Sequence, residues 1–340
     1  MAKISVIDIE YDGYLRWRKA LAPHRAATRT LISAFNREGE KMLGPRSFAT
    51  IKRVLDIGNQ WMGGLFREEI EEIAAATGVP ERDILTANLA YDAATVGCTA
   101  FLVMSQNGSM IHARNLDWEF PRGLLRKYTT LFRIHGAPVG DYALVGWPGL
   151  FSVLTGVAPG RFSLSVNHVM NRESKSSVGL AIQAGLGYWP STWLTRRVMD
   201  EARSFQAACR ILKNEPIVSP ILYAVGGVKE TERVVIERSP LEYVDRKASG
   251  TVPVCVTNHY VSEEFSNENV NLKDYDTRKR YRFISSRLRA FPIKTSNDAF
   301  QILSQEPLFD EITQYQVTMD AKSGSLSVRV PSRGSIELKV

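Results

Sequence analysis

The sequence predicts an α+β fold in which two stacked antiparallel sheets lie between helices, behind an N-terminal helical segment. Three observations lead there. Between Tyr14 and about Gly78 the apolar residues recur at helical spacing. After Gly97 the texture changes to short apolar strands. Pairs of helical segments interrupt those strands without regular strand–helix alternation, which argues for α+β.

Taken in order, Ile4-Ser5-Val6-Ile7 reads as a short strand. Helical spacing then links Leu31, Ile32 and Phe35, next Ile51, Val54 and Leu55, and next Ile70, Ile73 and Ala74. Pro23, Pro45 and Gly63-Gly64 punctuate these helices, and Pro80-Glu81-Arg82-Asp83 starts another that carries Ile84 to Tyr91. Beyond Gly97, Thr99 to Met104 and Met110 to Ala113 flank Asn107-Gly108, a strong two-residue hairpin turn. Tyr128 to Ile134, Tyr142 to Val145, Phe162 to Val166, Ile221 to Val225, Arg233 to Glu237 and Val252 to Val256 read as further strands. Ser191 to Arg203, Phe205 to Lys213 and Asp276 to Ala290 read as helices. Alternation at Thr313 to Met319, Ser325 to Val330 and Ser335 to Val340 closes the chain.

The composition is that of a folded protein: 340 residues, 44% hydrophobic and 23% charged. No uncharged apolar run approaches the length of a membrane span. Lys3, Asp8, Glu10 and Asp12 break any signal-peptide apolar core, so the expected location is cytoplasmic. The net charge of +7 arises wholly after residue 97. Its one dense run, Arg278-Lys279-Arg280-Tyr281-Arg282, is explained by a solvated helix face, so no nucleic-acid partner is expected. The five histidines never take metal-ligand spacing and no C-x-x-C occurs, so neither metal nor cofactor is expected.

Three cysteines cannot build a disulfide framework. Cys98 is the informative one, because it sits where the helical segment hands over to the strands. The hairpin brings the chain back through Arg114-Asn115-Leu116-Asp117-Trp118, placing a cation and a carboxylate within reach of the thiol. That is what nucleophile activation needs. Spacing alone equally admits an Arg–Asp surface pair near a buried Cys.

Gly97-Cys98-Thr99 followed by Arg114-Asn115-Leu116-Asp117 resembles the linear-amide branch of the N-terminal-nucleophile hydrolases, the choloylglycine hydrolase family. The likeness is to its acid ceramidase and N-acylethanolamine acid amidase members. It extends to Asn88-Leu89-Ala90-Tyr91, Leu154-Thr155-Gly156, Phe162 to Asn167, Thr257-Asn258-His259-Tyr260 and Asp276-Thr277-Arg278, in family order. The resemblance implies an αββα sandwich. It also implies self-cleavage at Gly97–Cys98 into a helical segment, 1–97, and a catalytic domain, 98–340, that stay associated. Cys98 would be the nucleophile, and its freed α-amino group, with a reference pKa of about 7.7–8.0, the general base. Arg114 would favour the thiolate, and Asp117 would hold the amino group. Asn258 would serve the oxyanion hole, with Asn167 a second polar group near the scissile carbonyl and Arg278 a further family arginine. The lysosomal amidases carry Glu where this chain has His168, so an acid-restricted pH optimum does not carry over.

The implied substrate is a linear N-acyl amide with a long or bulky apolar acyl chain, met with transient contact to membrane lipid. Trp118, Phe120, Trp147 and His168 are its candidate contacts, and Trp61, Met62, Leu65 and Phe66 a candidate opposing wall. Acyl transfer through the same thioester, as in the penicillin acyltransferases, and non-catalytic binding of acyl amides are the rival readings.

Overall fold

The computed structural model describes residues 3–61, 66–94, 96–106, 108–169, 177–248, 250, 252–270 and 276–340. The first apolar run forms β1 (Ser5–Glu10). Helices follow at α1 (Trp17–Leu21), α2 (Arg25–Leu43), α3 (Pro45–Trp61), α4 (Arg67–Thr77), α5 (Glu81–Asn88) and the single turn α6 (Ala90–Ala93). Their stripes bury Leu31, Ile32 and Phe35 on α2, Ile70 and Ile73 on α4, and Ile84 and Leu85 on α5. Asn107, Met62, Leu65 and the Gly63-Gly64 pair lie outside the described residues, as does the side chain of Trp61.

The strands after residue 97 are β2 (Gly97–Met104), β3 (Met110–Asp117), β4 (Thr130–His135), β5 (Tyr142–Gly146), β6 (Thr155–Ala158), β7 (Phe162–His168), β8 (Ile221–Gly226), β9 (Arg233–Arg238), β10 (Tyr243–Lys247), β11 (Val254–Val256), β12 (Thr313–Asp320), β13 (Ser325–Val330) and β14 (Gly334–Lys339). Between them run α7 (Leu124–Tyr128), α8 (Ser177–Gly185), α9 (Ser191–Glu201), α10 (Phe205–Asn214), α11 (Glu263–Ser266), α12 (Thr277–Ala290) and α13 (Ser296–Leu303).

One sheet has eight strands in the order β1-β4-β5-β6-β7-β8-β9-β10, and the other six in the order β11-β2-β3-β12-β13-β14. Every pair of these strands is antiparallel except β1 with β4, so both sheets are mostly antiparallel. The sheets share a core in which Cys98, Leu116, Tyr315 and Val317 meet Leu131, Val145 and Val166. Helix α9 covers the eight-stranded sheet so closely that a Cβ at Gly156 would meet Met199 Cε at 3.0 Å. Helices α12 and α13 cover the six-stranded sheet, packing Ile284, Leu288, Ala299 and Leu303 on Phe101, Val103 and Ala113. The result is an αββα sandwich.

Strand β3 runs on to Asp117 rather than ending at Ala113, because β12 pairs along it from Met319↔His112 to Thr313↔Asp117. Helices α7, α8, α11 and α13 and strands β6 and β10 have no counterpart in the sequence reading. β6 has only four residues, and β10 buries no side chain fully, so neither shows apolar alternation. The start of α13 is legible afterwards in the capping box of Thr295 with Asp298.

The 1–97 segment is woven into the rest. β1 forms an edge of the larger sheet. The fully buried Arg196 of α9 meets Glu69 of α4 through two hydrogen bonds of 2.9 and 2.8 Å. Glu69 also accepts from Trp17 Nε1 at 2.8 Å.

Candidate active site

The hairpin register sets the site. Cys98 lies opposite Leu116, Ala100 opposite Arg114 and Gly97 opposite Asp117. Directly opposed residues share a sheet face, so Cys98 and Arg114 both point inward toward the other sheet. Arg114 reaches back one pair, and its Nη2 donates to Cys98 Sγ at 2.9 Å. The guanidinium is held by Leu154 carbonyl at 2.7 Å, Thr155 Oγ1 at 2.8 Å and Val166 carbonyl at 3.0 Å. Tyr91 donates its hydroxyl to the same Val166 carbonyl at 3.0 Å and lies 3.8 Å from Sγ.

Cys98 is fully buried. Burial pushes its thiol up, with the Arg114 charge acting against that shift and the Asp117 charge adding to it. Burial alone dominates at the other cysteines, raising Cys209 to about 12 and Cys255 to about 11. Those two have no guanidinium on sulfur among the described contacts and are inert packing groups. Burial also pushes Asp117 up to about 6, against the pull of Arg280 and a 2.7 Å hydrogen bond from Thr313 Oγ1.

Asn258, which follows β11, spans the Gly97–Cys98 bond. Its Oδ1 accepts the Cys98 N–H at 2.9 Å, while its Nδ2 donates to Val96 carbonyl at 2.9 Å and His168 carbonyl at 2.8 Å. Asn167 turns its amide N–H toward Thr257 carbonyl at 3.0 Å and leaves Oδ1 buried without a partner among the described residues. Such an orphaned acceptor is uncommon in a core.

The expected arginine is displaced by two positions. Arg278 is exposed on α12 and does not reach Cys98. Arg280 is 3% exposed and donates to Cys98 carbonyl, to Thr99 Oγ1 at 2.8 Å and to Asn258 Oδ1 at 2.7 Å. The helical stripe of Thr277, Arg280, Ile284 and Leu288 carries the signal that identifies it, an arginine on the buried face. Tyr91 is a second residue of the site that sequence reasoning did not assign.

Of the substrate candidates, Trp118 and Phe120 line a groove of about 500 Å³ together with Phe35, Met42, Ala90 and Ala93. Glu38, Lys41 and Glu119 supply its polar part. Trp118 touches Tyr91 edge-on with ring centroids 5.8 Å apart, which joins the groove to the thiol's surroundings. Trp147 corrects the expectation: it is buried, and its indole N–H donates to Leu125 carbonyl at 2.9 Å, so it is a core residue. His168 is buried edge-on to Tyr91, and desolvation lowers it to about 4, which keeps it neutral. Phe66 packs on Phe151 and Trp193 in the core. Among the described residues no group of three or more His, Cys, Asp or Glu is placed to hold a metal, and no helix is long and apolar enough to cross a membrane.

A family model described as acyl-coenzyme A:6-aminopenicillanic acid acyl-transferase matches residues 184–332. The mouse N-acylethanolamine-hydrolyzing acid amidase is 29% identical over 268 residues, covering 75% of this chain and 69% of the relative. Mouse acid ceramidase is 25% identical over 351 residues, covering 94% of this chain and 83% of the relative. Over most of its length the chain is thus similar to N-acylethanolamine-hydrolyzing acid amidase and to acid ceramidase. Its named relatives are amide hydrolases. In fold it is similar to the Caenorhabditis elegans ortholog of N-acylethanolamine-hydrolyzing acid amidase, with a TM-score of 0.56 and 19% identity, over 71% of this chain and 100% of that one.

Proposed function

We propose that the protein hydrolyses a linear N-acyl amide through a thioester on Cys98, after cutting its own Gly97–Cys98 bond. The observation that carries this is the contact of Arg114 Nη2 with Cys98 Sγ, together with Asn258 bound on both sides of the Gly97–Cys98 bond. In the uncut chain burial holds the thiol protonated, and none of its described hydrogen-bond partners is a carboxylate or an imidazole. Cutting frees an α-amino group on Cys98 itself, next to Asp117. That amine takes the thiol proton, and sulfur attacks the substrate carbonyl. The proton passes to the departing amine, and water then releases the acid from the thioester. In this reading Arg114 stabilises the thiolate, and Asn258 Nδ2, which donates to the Val96 and His168 carbonyls in the uncut chain, turns one N–H to the oxyanion once the Gly97–Cys98 bond is cut.

The groove of Phe35, Met42, Ala90, Ala93, Trp118 and Phe120 supports an apolar acyl chain as the substrate's larger part. Fragments 1–97 and 98–340 stay together in this reading, because β1 and the Glu69–Arg196 contact bind one to the other.

Intact mass spectrometry with turnover of a fatty-acyl amide tests the proposal. Two masses that coelute under native conditions are expected, and Cys98→Ala should remain one inactive chain. A fully active preparation with an intact Gly97–Cys98 bond removes the proposed base and sinks the mechanism. The family-model match over 184–332 favours a second reading, transfer of the acyl group to an amine. Adding an amine acceptor separates the two: N-acylated acceptor marks a transferase, free acid alone a hydrolase.

A further inference from the structure

We infer that Thr277 is a positioning residue that docks Asn258 and Arg280 together against Cys98, an inference that rests on the Cys98 mechanism above. Asn258 and Arg280 belong to different elements, the segment after β11 and helix α12, and both must meet the thiol's own residue. Thr277 is the joint between those elements. It is 1% exposed, and its Oγ1 accepts the Asn258 N–H at 2.8 Å. The same oxygen lies 2.9 Å from His259 Nδ1 and 3.0 Å from Thr257 Oγ1. Thr257 Oγ1 in turn donates to the Thr277 carbonyl at 3.0 Å. Three consecutive residues, Thr257, Asn258 and His259, are thereby fastened to the first residue of α12.

Among the described residues, the N-cap of α12 supplies no such anchor. Asp276 at its N-cap has φ 48 and makes no capping hydrogen bond. Three residues further along, on the same helix face, Arg280 donates to Thr99, to the Cys98 carbonyl and to Asn258 Oδ1. Asn258 is therefore held to one helix at both ends, its backbone through Thr277 and its side chain through Arg280. A neutral His259 completes the cluster: burial and the nearby arginines lower it to about 4, so Nδ1 can accept the Thr277 hydroxyl proton. Loss of the hydroxyl leaves the Asn258 N–H without its acceptor and frees the loop from the helix. The catalytic amide and the guanidinium then lose their common register, although neither has been altered.

The test compares Thr277→Ala with Thr277→Ser in the full chain, because that pair differs by the hydroxyl alone. Processing at Gly97–Cys98 is read by intact mass, kcat and KM with a fatty-acyl amide, and folding by thermal melt. Thr277→Ala should lower kcat by about tenfold or more at nearly unchanged KM, the effect of one lost buried hydrogen bond on the site it orients. Thr277→Ser should restore most of it, and adding Thr277→Ala to Asn258→Ala should cost clearly less than Thr277→Ala costs on its own. Wild-type kcat in Thr277→Ala overturns the proposal, and so do a serine variant as impaired as the alanine and a double variant that falls by the product of the singles. Cys98→Ala is run alongside. Turnover that survives in Cys98→Ala defeats the underlying mechanism, whereas an inactive Cys98→Ala beside an unimpaired Thr277→Ala defeats only the inference about Thr277.

Discussion

At the scale of single residues, the site is a thiol whose surroundings pull in opposite directions. Burial raises Cys98, while the guanidinium of Arg114, fixed by three oxygen acceptors, favours its anion. Asn258→Ala should lower kcat by roughly 10²–10³ at saturating substrate, the usual loss for one oxyanion donor. Wild-type turnover in that variant would take Asn258 out of the site. The two arginines of α12 make a sharper comparison. Arg278→Ala should be indistinguishable from wild type, because its side chain is exposed, whereas Arg280→Leu should lose most turnover and processing. Equal effects in the two assays would return the role to the basic face as a whole. Asp117 separates activity from stability. Its pKa is raised to about 6, so its contribution to folding is greatest at low pH and is lost as pH rises through about 6. Asp117→Asn should therefore melt no lower than wild type at pH 8 while turning over poorly. A large drop in Tm at that pH would show the charge to be stabilising instead.

At the scale of elements, the β2–β3 hairpin and helix α12 carry the candidate site, and α4 with α9 ties residues before 97 to those after it. Arg196 and Glu69 form a buried ion pair further bound by Asp200, which lies 3.1 Å from Arg196. Truncating one member of such a pair leaves an uncompensated charge and costs about 3–5 kcal/mol. Glu69→Ala should accordingly unfold at much lower denaturant. After processing it should let fragment 1–97 dissociate in gel filtration, where wild type elutes as one species. Coelution of the fragments in folded Glu69→Ala would transfer that role to β1. His112 makes a comparable link between the sheets, with its ring nitrogens 3.0 and 2.8 Å from Ser163 and Ser165, and desolvation lowers it to about 3. It stays neutral across the working pH range and acts as a fastening between β3 and β7.

At the scale of the whole molecule, the pH response follows from the proposed base. An α-amino group with a reference pKa of about 7.7–8.0 gains its free-base form as pH rises through neutrality, and Asp117 is ionised above about 6, so kcat/KM should be substantial near pH 7, rise toward about pH 8 and fall on the acid side. A profile confined below about pH 5 would contradict the α-amino base. With His168 lowered to about 4, no imidazole titration from that residue should appear between these limits.

Much of this was already legible in the order of the residues. The change from helical spacing to strands at residue 97, the hairpin that follows and the return of Arg114 and Asp117 toward Cys98 are local, linked by one hairpin, so sequence by itself made them legible, although spacing alone equally admitted a surface pair near a buried thiol. Tertiary structure alone decided the rest. Asn258 reaches Cys98 across 160 residues because β11 happens to pair with β2. Arg280 displaces Arg278 because α12 lays one particular stripe on the six-stranded sheet. Trp147 goes to the core because Leu125 offers a carbonyl to its indole. Periodicity reports which face of an element is apolar, but which face of another element it will meet depends on sheet order and packing, and those are properties of the assembled fold.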